Sequence, residues 1–165
     1  MPNKWTFKIK PIAELLKRYN VGKGWIDPFA GMYSPAYFRN DLNPKANAQY
    51  NLPAYDFVLH LKNRYSGCLF DPPYSLRQIK ECYDKIGYVP NKDYTLDASF
   101  SEVKDIIENI IKVNGYVISF GWNSNGFGKQ RGFEIKEILL VPHGGHHYDT
   151  IVTVEQKVRD NYELF

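Results

Sequence analysis

Cysteine, long apolar runs and a strong net charge are all scarce in this sequence of 165 residues. The two cysteines, Cys68 and Cys82, match neither a disulfide framework nor a zinc site, and we expect both to be reduced thiols. A membrane helix needs roughly 20 apolar residues, and no run approaches that length. The first residues also lack an apolar signal segment. These absences predict a cytoplasmic protein.

The charge balance is nearly even, with 21 Lys and Arg against 18 Asp and Glu, a net charge of +3. Such a bias permits a polyanionic partner without requiring one. The composition, 44% hydrophobic and 24% charged, is typical of a folded protein, and no internal repeat occurs. The 13 tyrosines suit base stacking and a dense core equally well. We expect one domain that spans residues 1–165.

The most informative stretch is Asp71, Pro72, Pro73 and Tyr74, which follows a short apolar run that predicts the end of a buried strand. Two prolines cannot continue a sheet ladder, so the chain should leave the strand stiffly with unpaired carbonyl groups. Asp71 and the Pro72 carbonyl can then accept two hydrogen bonds from one planar amino group, on whose heterocycle Tyr74 can stack. A turn capped by an aspartate is the alternative interpretation.

A second candidate site begins where a predicted strand at residues 25–27 runs into the stretch DPFAG at 27–31. An acidic residue and a glycine after a strand are typical of nucleotide-like ligand sites, although they also make plain turns. Asp41 should follow the second strand, where a carboxylate can accept both hydroxyls of a ribose. Because the spacing is short and includes Pro35, we expect the helix between these strands to be stunted.

The remaining pattern alternates between helical and extended segments. It predicts helices over 11–19, 54–61, 75–87 and 100–113, and strands over 49–52, 66–71, 116–120, 134–142 and 148–157. The last two strands should form an antiparallel hairpin. Asp56, near the start of its helix, either favours the helix dipole or binds a ligand. The loop 88–100 is either a substrate flap or a solvated connection, and a glycine-rich loop occupies 121–132.

Three histidines, His143, His146 and His147, lie in the predicted turn of that hairpin. Only Asp149 stands close enough to add a ligand, which is a weak metal pattern. We therefore predict no metal site, and we favour either contact with a nucleic-acid phosphate or simple loop polarity.

The order of these motifs resembles that of the S-adenosylmethionine-dependent amino-methyltransferases of DNA, in particular the small phage- and prophage-type N6-adenine methyltransferases with a DPPY motif. The resemblance spans nearly the whole chain. It implies an α/β fold, a Rossmann-like class I methyltransferase with a mixed seven-stranded sheet, its last strand antiparallel, flanked by helices. It also implies S-adenosyl-L-methionine as cofactor and DNA, double- or single-stranded, as partner.

The resemblance implies a role for each site residue. The catalytic residues that hold the target base would be Asp71, Pro72, Pro73 and Tyr74. The cofactor-binding residues would be Lys10, Pro11, Asp27, Pro28, Phe29, Gly31, Asp41 and Asp56. Within this set, Lys10 and Pro11 resemble the segment that contacts the methionine carboxylate, and Asp41 would hold the ribose.

The sequence departs from the family pattern at three points. The loop after DPFAG reads MYSPA, residues 32–36, where many relatives have GSGT. Pro53 stands where relatives often carry an aspartate that reads the cofactor adenine, a role that Asp56 could take over. We expect no separate target-recognition domain, so specificity should come from the loops at 75–100 and 121–132, from a homodimer or from a recognition subunit.

The motifs and the family resemblance together imply methyl transfer to the N6 amino group of adenine in DNA. Hydrogen bonds to Asp71 and to the Pro72 carbonyl should make the delocalised amino nitrogen more tetrahedral before in-line attack, without a covalent cysteine. A duplex would have to flip out its base at a cost of a few kcal/mol, which makes single strands plausible substrates. The alternatives are methylation of RNA, of cytosine N4 or of a protein glutamine, and a non-catalytic nucleic-acid-binding subunit.

Overall fold

The computed structural model describes residues 5–87, 89, 96–145 and 147–161. The helices are α1 (Lys10–Arg18), α2 (Ala54–His60), α3 (Leu76–Ile86) and α4 (Leu96–Ile110). The strands are β1 (Trp25–Asp27), β2 (Phe38–Arg39), β3 (Tyr65–Phe70), β4 (Ile111–Gly121), β5 (Phe133–Val141) and β6 (Thr150–Lys157). Single 3-10 turns occupy Thr6–Lys8 and Lys129–Arg131. Among the described residues no helix is both long and apolar enough to cross a bilayer.

The strands form one mixed sheet in the order β2-β1-β3-β4-β6-β5. The first four strands in this order are mutually parallel, and β6 runs antiparallel to both β4 and β5. The predicted α/β fold with an antiparallel last strand and a terminal hairpin is thereby confirmed.

The described sheet has six strands instead of the predicted seven. The strand expected at 49–52 is reduced to a single parallel bridge between Asn40 and Tyr50. Further pairing stops because the Leu52 amide donates to the side-chain Oδ1 of Asn40 at 3.0 Å, and Pro53 has no amide hydrogen to donate. The short segment is therefore hydrogen-bonded to the chain at the end of β2 without forming a seventh strand.

Successive side chains of a strand point to opposite sides of the sheet, so both faces present side chains that helices can cover. Helices pack on both faces here. On one face α1 packs with three buried aliphatic side chains, Ile12, Leu15 and Leu16. On the other face α2 and α4 contribute Phe57, Val58, Val103 and Ile107. Within β3, Leu69 joins the first cluster, whereas Cys68 and Phe70 join the second. Each fully buried side chain of this size stabilises the fold by about 1.5–3 kcal/mol.

The predicted helix over 100–113 is wrong at both ends. It starts earlier, at Leu96, and it stops at Ile110, where β4 begins. Ile111 already pairs with Tyr65, and the sheet register then shifts before Tyr116 pairs with Gly67. Gly115 sits inside this irregularity, where a Cβ would lie 2.8 Å from the Lys112 carbonyl oxygen. The glycine thus permits a bulge in a strand and does not cap a helix.

Candidate active site

One edge of the sheet collects the residues that the sequence marks out. Parallel strands end at the same edge, and β1, β2, β3 and β4 are followed there by 28–31, 40–41, 71–74 and the loop from Trp122. Because β5 runs in the same direction as β4, the loop between β5 and β6 ends at this edge as well. In open α/β sheets, ligands bind outside the carboxyl ends of the strands. The predicted motifs therefore lie together at the edge of the sheet where a ligand site is expected.

Asp27, the last residue of β1, is fully buried and organises the loop that follows it. Its Oδ1 accepts a hydrogen bond from the Phe29 amide at 2.9 Å, and its Oδ2 accepts one from the Ser34 hydroxyl at 2.6 Å. Burial raises the pKa of Asp27 to about 7, against the opposing effect of these two hydrogen bonds. Ser34 was not predicted to take part, and it ties the unusual MYSPA loop to β1.

Asp41 performs a similar task from the next strand. Its Oδ2 accepts a hydrogen bond from the Gly31 amide at 2.8 Å, and its Oδ1 accepts one from the Asn43 amide at 2.8 Å. Burial raises the pKa of Asp41. Gly31 adopts φ +58°, and the position of an added Cβ faces open space, so its backbone conformation and not crowding requires glycine. The carboxylate thus fixes a loop whose outer side has room for a ligand.

Asn40 is a positioning residue that the sequence did not reveal. Its side chain is buried, with Nδ2 donating to the carbonyls of Pro28 at 3.1 Å and Leu52 at 2.9 Å. The backbone adds two hydrogen bonds, from Ala30 to the Asn40 carbonyl and from Asn40 to the Asp27 carbonyl, each at 2.9 Å. The expected stunted helix is replaced entirely by turns between β1 and β2, and Asn40 holds these turns in place.

The stretch 71–74 forms the predicted stiff connection between β3 and α3. Asp71 is only 2% exposed, and the Tyr74 hydroxyl donates to its Oδ1 at 2.5 Å. Pro72 and Pro73 are half-buried, and no described group donates to the Pro72 carbonyl. The Tyr74 amide donates to the Gln78 side chain at 2.6 Å, which fixes the tyrosine against the first turn of α3.

The electrostatics of this stretch follow from its burial. Desolvation raises the pKa of Asp71 to about 8, assisted by the nearby charge of Asp27 and opposed by the hydrogen bond from Tyr74. Burial and the adjacent carboxylate also raise the pKa of Tyr74, so its hydroxyl remains a hydrogen-bond donor. The charge of Asp27, at the end of β1, adds to the burial of Asp71, at the end of β3, and favours the neutral form of Asp71 near neutral pH.

The other predicted cofactor residues are more dispersed. Lys10 and Pro11 are exposed at the start of α1, beside a 3-10 turn whose Phe7 packs edge-on against Phe120 of β4 at 5.5 Å. Asp56 is exposed in the first turn of α2, on the opposite face of the sheet. Phe29 is half-buried and turns its ring toward Phe70, at 5.4 Å, and toward Phe100, at 5.6 Å. Their contact with a cofactor stays a prediction.

The structure describes only part of two loops for which we predicted a function, the expected flap at 88–100 and the loop of the hairpin. Residues 88 and 90–95 of the expected flap lie outside the described residues, and its last part belongs to α4. In the hairpin loop, His143 Nε2 lies 2.8 Å from the Thr150 hydroxyl, and the His147 amide donates to the Gly144 carbonyl at 3.3 Å. His146 lies outside the described residues. Elsewhere in the described part, no three Cys, His, Asp or Glu side chains are grouped to hold a metal ion.

Comparisons with known proteins identify the fold. No protein-family model matches the sequence, and no curated protein does. Among solved structures, TrmN from Thermus thermophilus aligns with a TM-score of 0.60 and 16% identity over 89% of this chain. An rRNA methylase from Streptococcus thermophilus aligns with a TM-score of 0.56 and 10% identity over 88% of this chain. The fold is that of a Rossmann-like methyltransferase.

A third structure of the same fold carries ligands. The 1,6-didemethyltoxoflavin-N1-methyltransferase from Burkholderia thailandensis, solved with bound S-adenosylhomocysteine, aligns with a TM-score of 0.57 and 13% identity over 89% of this chain. The aligned part is 76% of that protein and 94% of the rRNA methylase, but it spans only about half, 48%, of TrmN. At these identities the comparisons show the methyltransferase fold alone.

The buried cysteine, Cys68, offers no nucleophile within this fold. Both thiols are unpaired, as predicted, with Cys68 buried and Cys82 half-buried. Burial raises the pKa of the Cys68 thiol, and the charge of Asp27 raises it further. Because the thiolate is the reactive form, Cys68 remains inert inside the sheet.

A further unpredicted residue, Glu155 of β6, fixes the glycine-rich loop after β4. It is fully buried, and its two carboxylate oxygens accept hydrogen bonds from the amides of Phe127 at 2.6 Å and Gly128 at 2.8 Å. At Gly126, with φ +54°, an added Cβ would lie 2.2 Å from Glu155 Oε2. The Lys104 ammonium donates to the Gly126 carbonyl at 2.7 Å. Three successive residues of the loop are therefore anchored, Phe127 and Gly128 to β6 and Gly126 to α4.

Replacing this buried carboxylate should destabilise the protein. We expect Glu155→Gln to lower the free energy of unfolding by about 1–3 kcal/mol, because the amide turns one acceptor into a donor that faces a backbone N–H. Urea denaturation measures the change, with Glu134→Gln as the matched control on the exposed side of β5. The control should change the free energy of unfolding by less than about 0.5 kcal/mol. Equal losses in the two variants would contradict the anchoring role of Glu155.

Proposed function

We propose that this protein transfers the methyl group of S-adenosyl-L-methionine to the N6 amino group of adenine in DNA. The observation that carries the proposal is the arrangement of Asp71, the Pro72 carbonyl and the Tyr74 ring at the edge where four parallel strands end. A methyltransferase fold and a rigid acceptor pair beside an aromatic ring are together what an exocyclic amine requires. The DNA substrate itself comes from the resemblance of the motif order.

The acceptor pair supplies the chemistry that the substrate needs. An adenine amino group is delocalised into its ring and is a poor nucleophile, and acceptors on both N–H groups favour a more tetrahedral nitrogen. Asp71 uses Oδ1 for the Tyr74 hydroxyl, which leaves Oδ2 and the Pro72 carbonyl to receive the two N–H groups. In a buried site these hydrogen bonds act with little competition from water. Stacking on Tyr74 would hold the ring in line with the methyl donor.

The cofactor side of the site fits S-adenosyl-L-methionine. Asp27 and Asp41 hold the loop 28–31 through the amides of Phe29 and Gly31, and beyond the adjacent residues no atom lies within 4 Å of the Cβ position at Gly31. Asp41 would face the ribose, and Lys10 and Pro11 would lie near the methionine carboxylate. The cofactor, when bound, supplies the electrophilic sulfonium methyl group. A protein of the same fold binds its demethylated product, S-adenosylhomocysteine.

RNA is the second candidate substrate, because one structure of the same fold is an rRNA methylase. The acceptor pair and the Tyr74 ring contact only the base in our proposal, so they do not distinguish ribose from deoxyribose. A cytosine N4 amine or a protein glutamine amide is also planar and carries two N–H donors. We call Asp71, the Pro72 carbonyl and the Tyr74 ring the clamp. The clamp does not distinguish these substrates, and only the identity of the methylated product does.

Nucleoside mass spectrometry tests the proposal. The protein and cofactor are incubated with unmethylated duplex DNA, single-stranded DNA and RNA, and the nucleosides are analysed for N6-methyladenine and N4-methylcytosine. We expect N6-methyladenine in a DNA sample. N6-methyladenine in RNA alone would move the assignment to RNA, and N4-methylcytosine alone would reject adenine.

Cofactor binding separates an enzyme from a non-catalytic subunit. A ligand that binds only the native state must raise the melting temperature, and at a concentration 100 times its Kd it stabilises by about 2.7 kcal/mol. We expect S-adenosylhomocysteine at millimolar concentration to raise the melting temperature by several degrees. The same measurement with adenosine alone provides the control. Absence of a shift with S-adenosylhomocysteine would reject the enzyme and favour a nucleic-acid-binding subunit.

A further inference from the structure

Two exposed aromatic rings continue outward from Tyr74. Trp122, the first residue after β4, meets Tyr74 with ring centroids 5.5 Å apart and planes at 66°. Tyr148, in the loop between β5 and β6, meets Trp122 at 4.8 Å with planes at 40°. Trp122 is 40% exposed and Tyr148 is 74% exposed, so neither ring is placed by core packing. We call Tyr74, Trp122 and Tyr148 the aromatic row.

The row is built on anchored backbone. Trp122 leaves the last β4 residue that pairs with β6, and the Asn125 amide then donates to the Asn123 side chain at 3.0 Å in the same turn. Further along, Glu155 fixes the rest of this loop to the sheet. Beside Tyr148, the Asp149 carboxylate accepts a hydrogen bond from the His143 amide at 3.2 Å. Because hydrogen bonds already hold this backbone, binding a ligand costs little conformational entropy, which favours affinity.

We propose that Trp122 and Tyr148 bind the base next to the target base in a single-stranded nucleic acid. The inference rests on the proposed function, because it takes the target base to lie on Tyr74. Base–aromatic stacking tolerates any sequence, since every base has a π-face. The exposed rings thus offer the neighbouring nucleotide a platform that continues directly from the clamp.

The angle between the rings favours a single strand. Bases stacked on Tyr74 and on Trp122 would be inclined by about the 66° that separates the two ring planes, so they could not remain stacked on each other. A single strand adopts this splayed arrangement freely, whereas a duplex must unpair and unstack both nucleotides. The same two loops carry Lys129, His143 and His147, all exposed, whose N–H groups can donate to the connecting phosphates.

Oligonucleotide binding tests the row without depending on methyl transfer. Fluorescence anisotropy is measured with labelled strands of about 12 nucleotides, as single-stranded DNA, RNA of the same sequence and duplex DNA. We expect Trp122→Ala to weaken single-strand binding about tenfold, Tyr148→Ala to weaken it severalfold, and Trp122→Phe to retain most of the affinity. Tyr55→Ala, which removes an exposed ring from α2, is the matched control and should leave the affinity unchanged.

The outcomes separate this inference from the proposed function. Wild-type affinity in both alanine variants would overturn the row as a binding platform, even if adenine is methylated. Tighter wild-type binding to the duplex than to either single strand, or an equal loss on the duplex in Trp122→Ala, would overturn the single-strand assignment. Selective loss of single-strand binding in the alanine variants would support the aromatic row, even if no N6-methyladenine forms. If the binding loss is seen without N6-methyladenine, only the adenine chemistry is rejected. The S-adenosylhomocysteine melting shift should be the same in every variant.

Discussion

The Asp71→Ala variant is expected to lose at least about 100-fold in kcat/KM for methyl transfer while it still binds S-adenosylhomocysteine. The substitution removes the only buried carboxylate of the clamp and the acceptor for the Tyr74 hydroxyl. Loss of one preorganised hydrogen-bonding group in a dry active site lowers kcat by about 10²–10³. Cofactor binding should persist because Asp27, Asp41 and the loop between them remain intact. Steady-state kinetics and the melting shift together measure both effects.

Two further variants make the result specific. Asp71→Asn preserves the shape and one carbonyl oxygen but replaces the other oxygen with a donor, so its activity should fall between that of Asp71→Ala and that of the wild type. Asp84→Ala removes an exposed carboxylate from α3 and should keep wild-type activity. If Asp71→Ala retained activity within about threefold of the Asp84→Ala control, Asp71 would not be the acceptor.

Local signals in the sequence were sufficient for most strands and for their order along the chain, but not for the strand expected over 49–52 or for the start of β4. Strand β1 was predicted with its observed bounds, and the ends of β3 and α1 within one residue, because apolar runs there stop at proline or glycine. Mistakes occurred where tertiary contacts override such signals. Ile111 continues the helical spacing of α4, yet it pairs with Tyr65 in the sheet.

The residues that brace the site were missed for a related reason. Ser34, Asn40 and Glu155 bind partners 7, 12 and 28 residues away: the Asp27 carboxylate, the Pro28 carbonyl and the Phe127 amide. No spacing rule links a polar side chain to a partner at these separations. Serine, asparagine and glutamate are also common on surfaces, and a single sequence does not show which of them are buried. The turns at 28–31 and 71–74 were predictable because proline and glycine constrain the backbone at the motif itself.

The charge state of Asp71 should make activity and stability change in opposite directions with pH. Its pKa in the folded protein is about 8, raised by burial from an ordinary value of about 3.9. The clamp needs the carboxylate, because a protonated Oδ2 would present a donor to the amino group. We therefore expect kcat/KM to rise about tenfold per pH unit up to about pH 8 and then to level off. Asp71→Asn, which does not titrate, should lack this rise.

Stability should follow the reverse course. Between about pH 4 and about pH 8 the folded protein holds a proton on Asp71 that the unfolded chain has released, so the free energy of unfolding falls as pH rises. One such group lowers the free energy of unfolding by about 1.4 kcal/mol for each pH unit between these limits. Its stabilising contribution is present in full below about pH 4 and is lost above about pH 8. Asp27 adds a loss of the same sign up to about pH 7. Urea denaturation at several pH values measures the sum.

The difference between wild type and Asp71→Asn isolates this one group, since the other titrating residues are common to both proteins. The stability of Asp71→Asn relative to wild type should increase steadily from pH 5 to pH 8, while its relative activity decreases over the same interval. A difference in stability that does not vary with pH would mean that Asp71 is already charged near pH 5 in the folded protein. The buried clamp would then be ionised at rest, and methyl transfer would lose its dependence on this carboxyl group's titration.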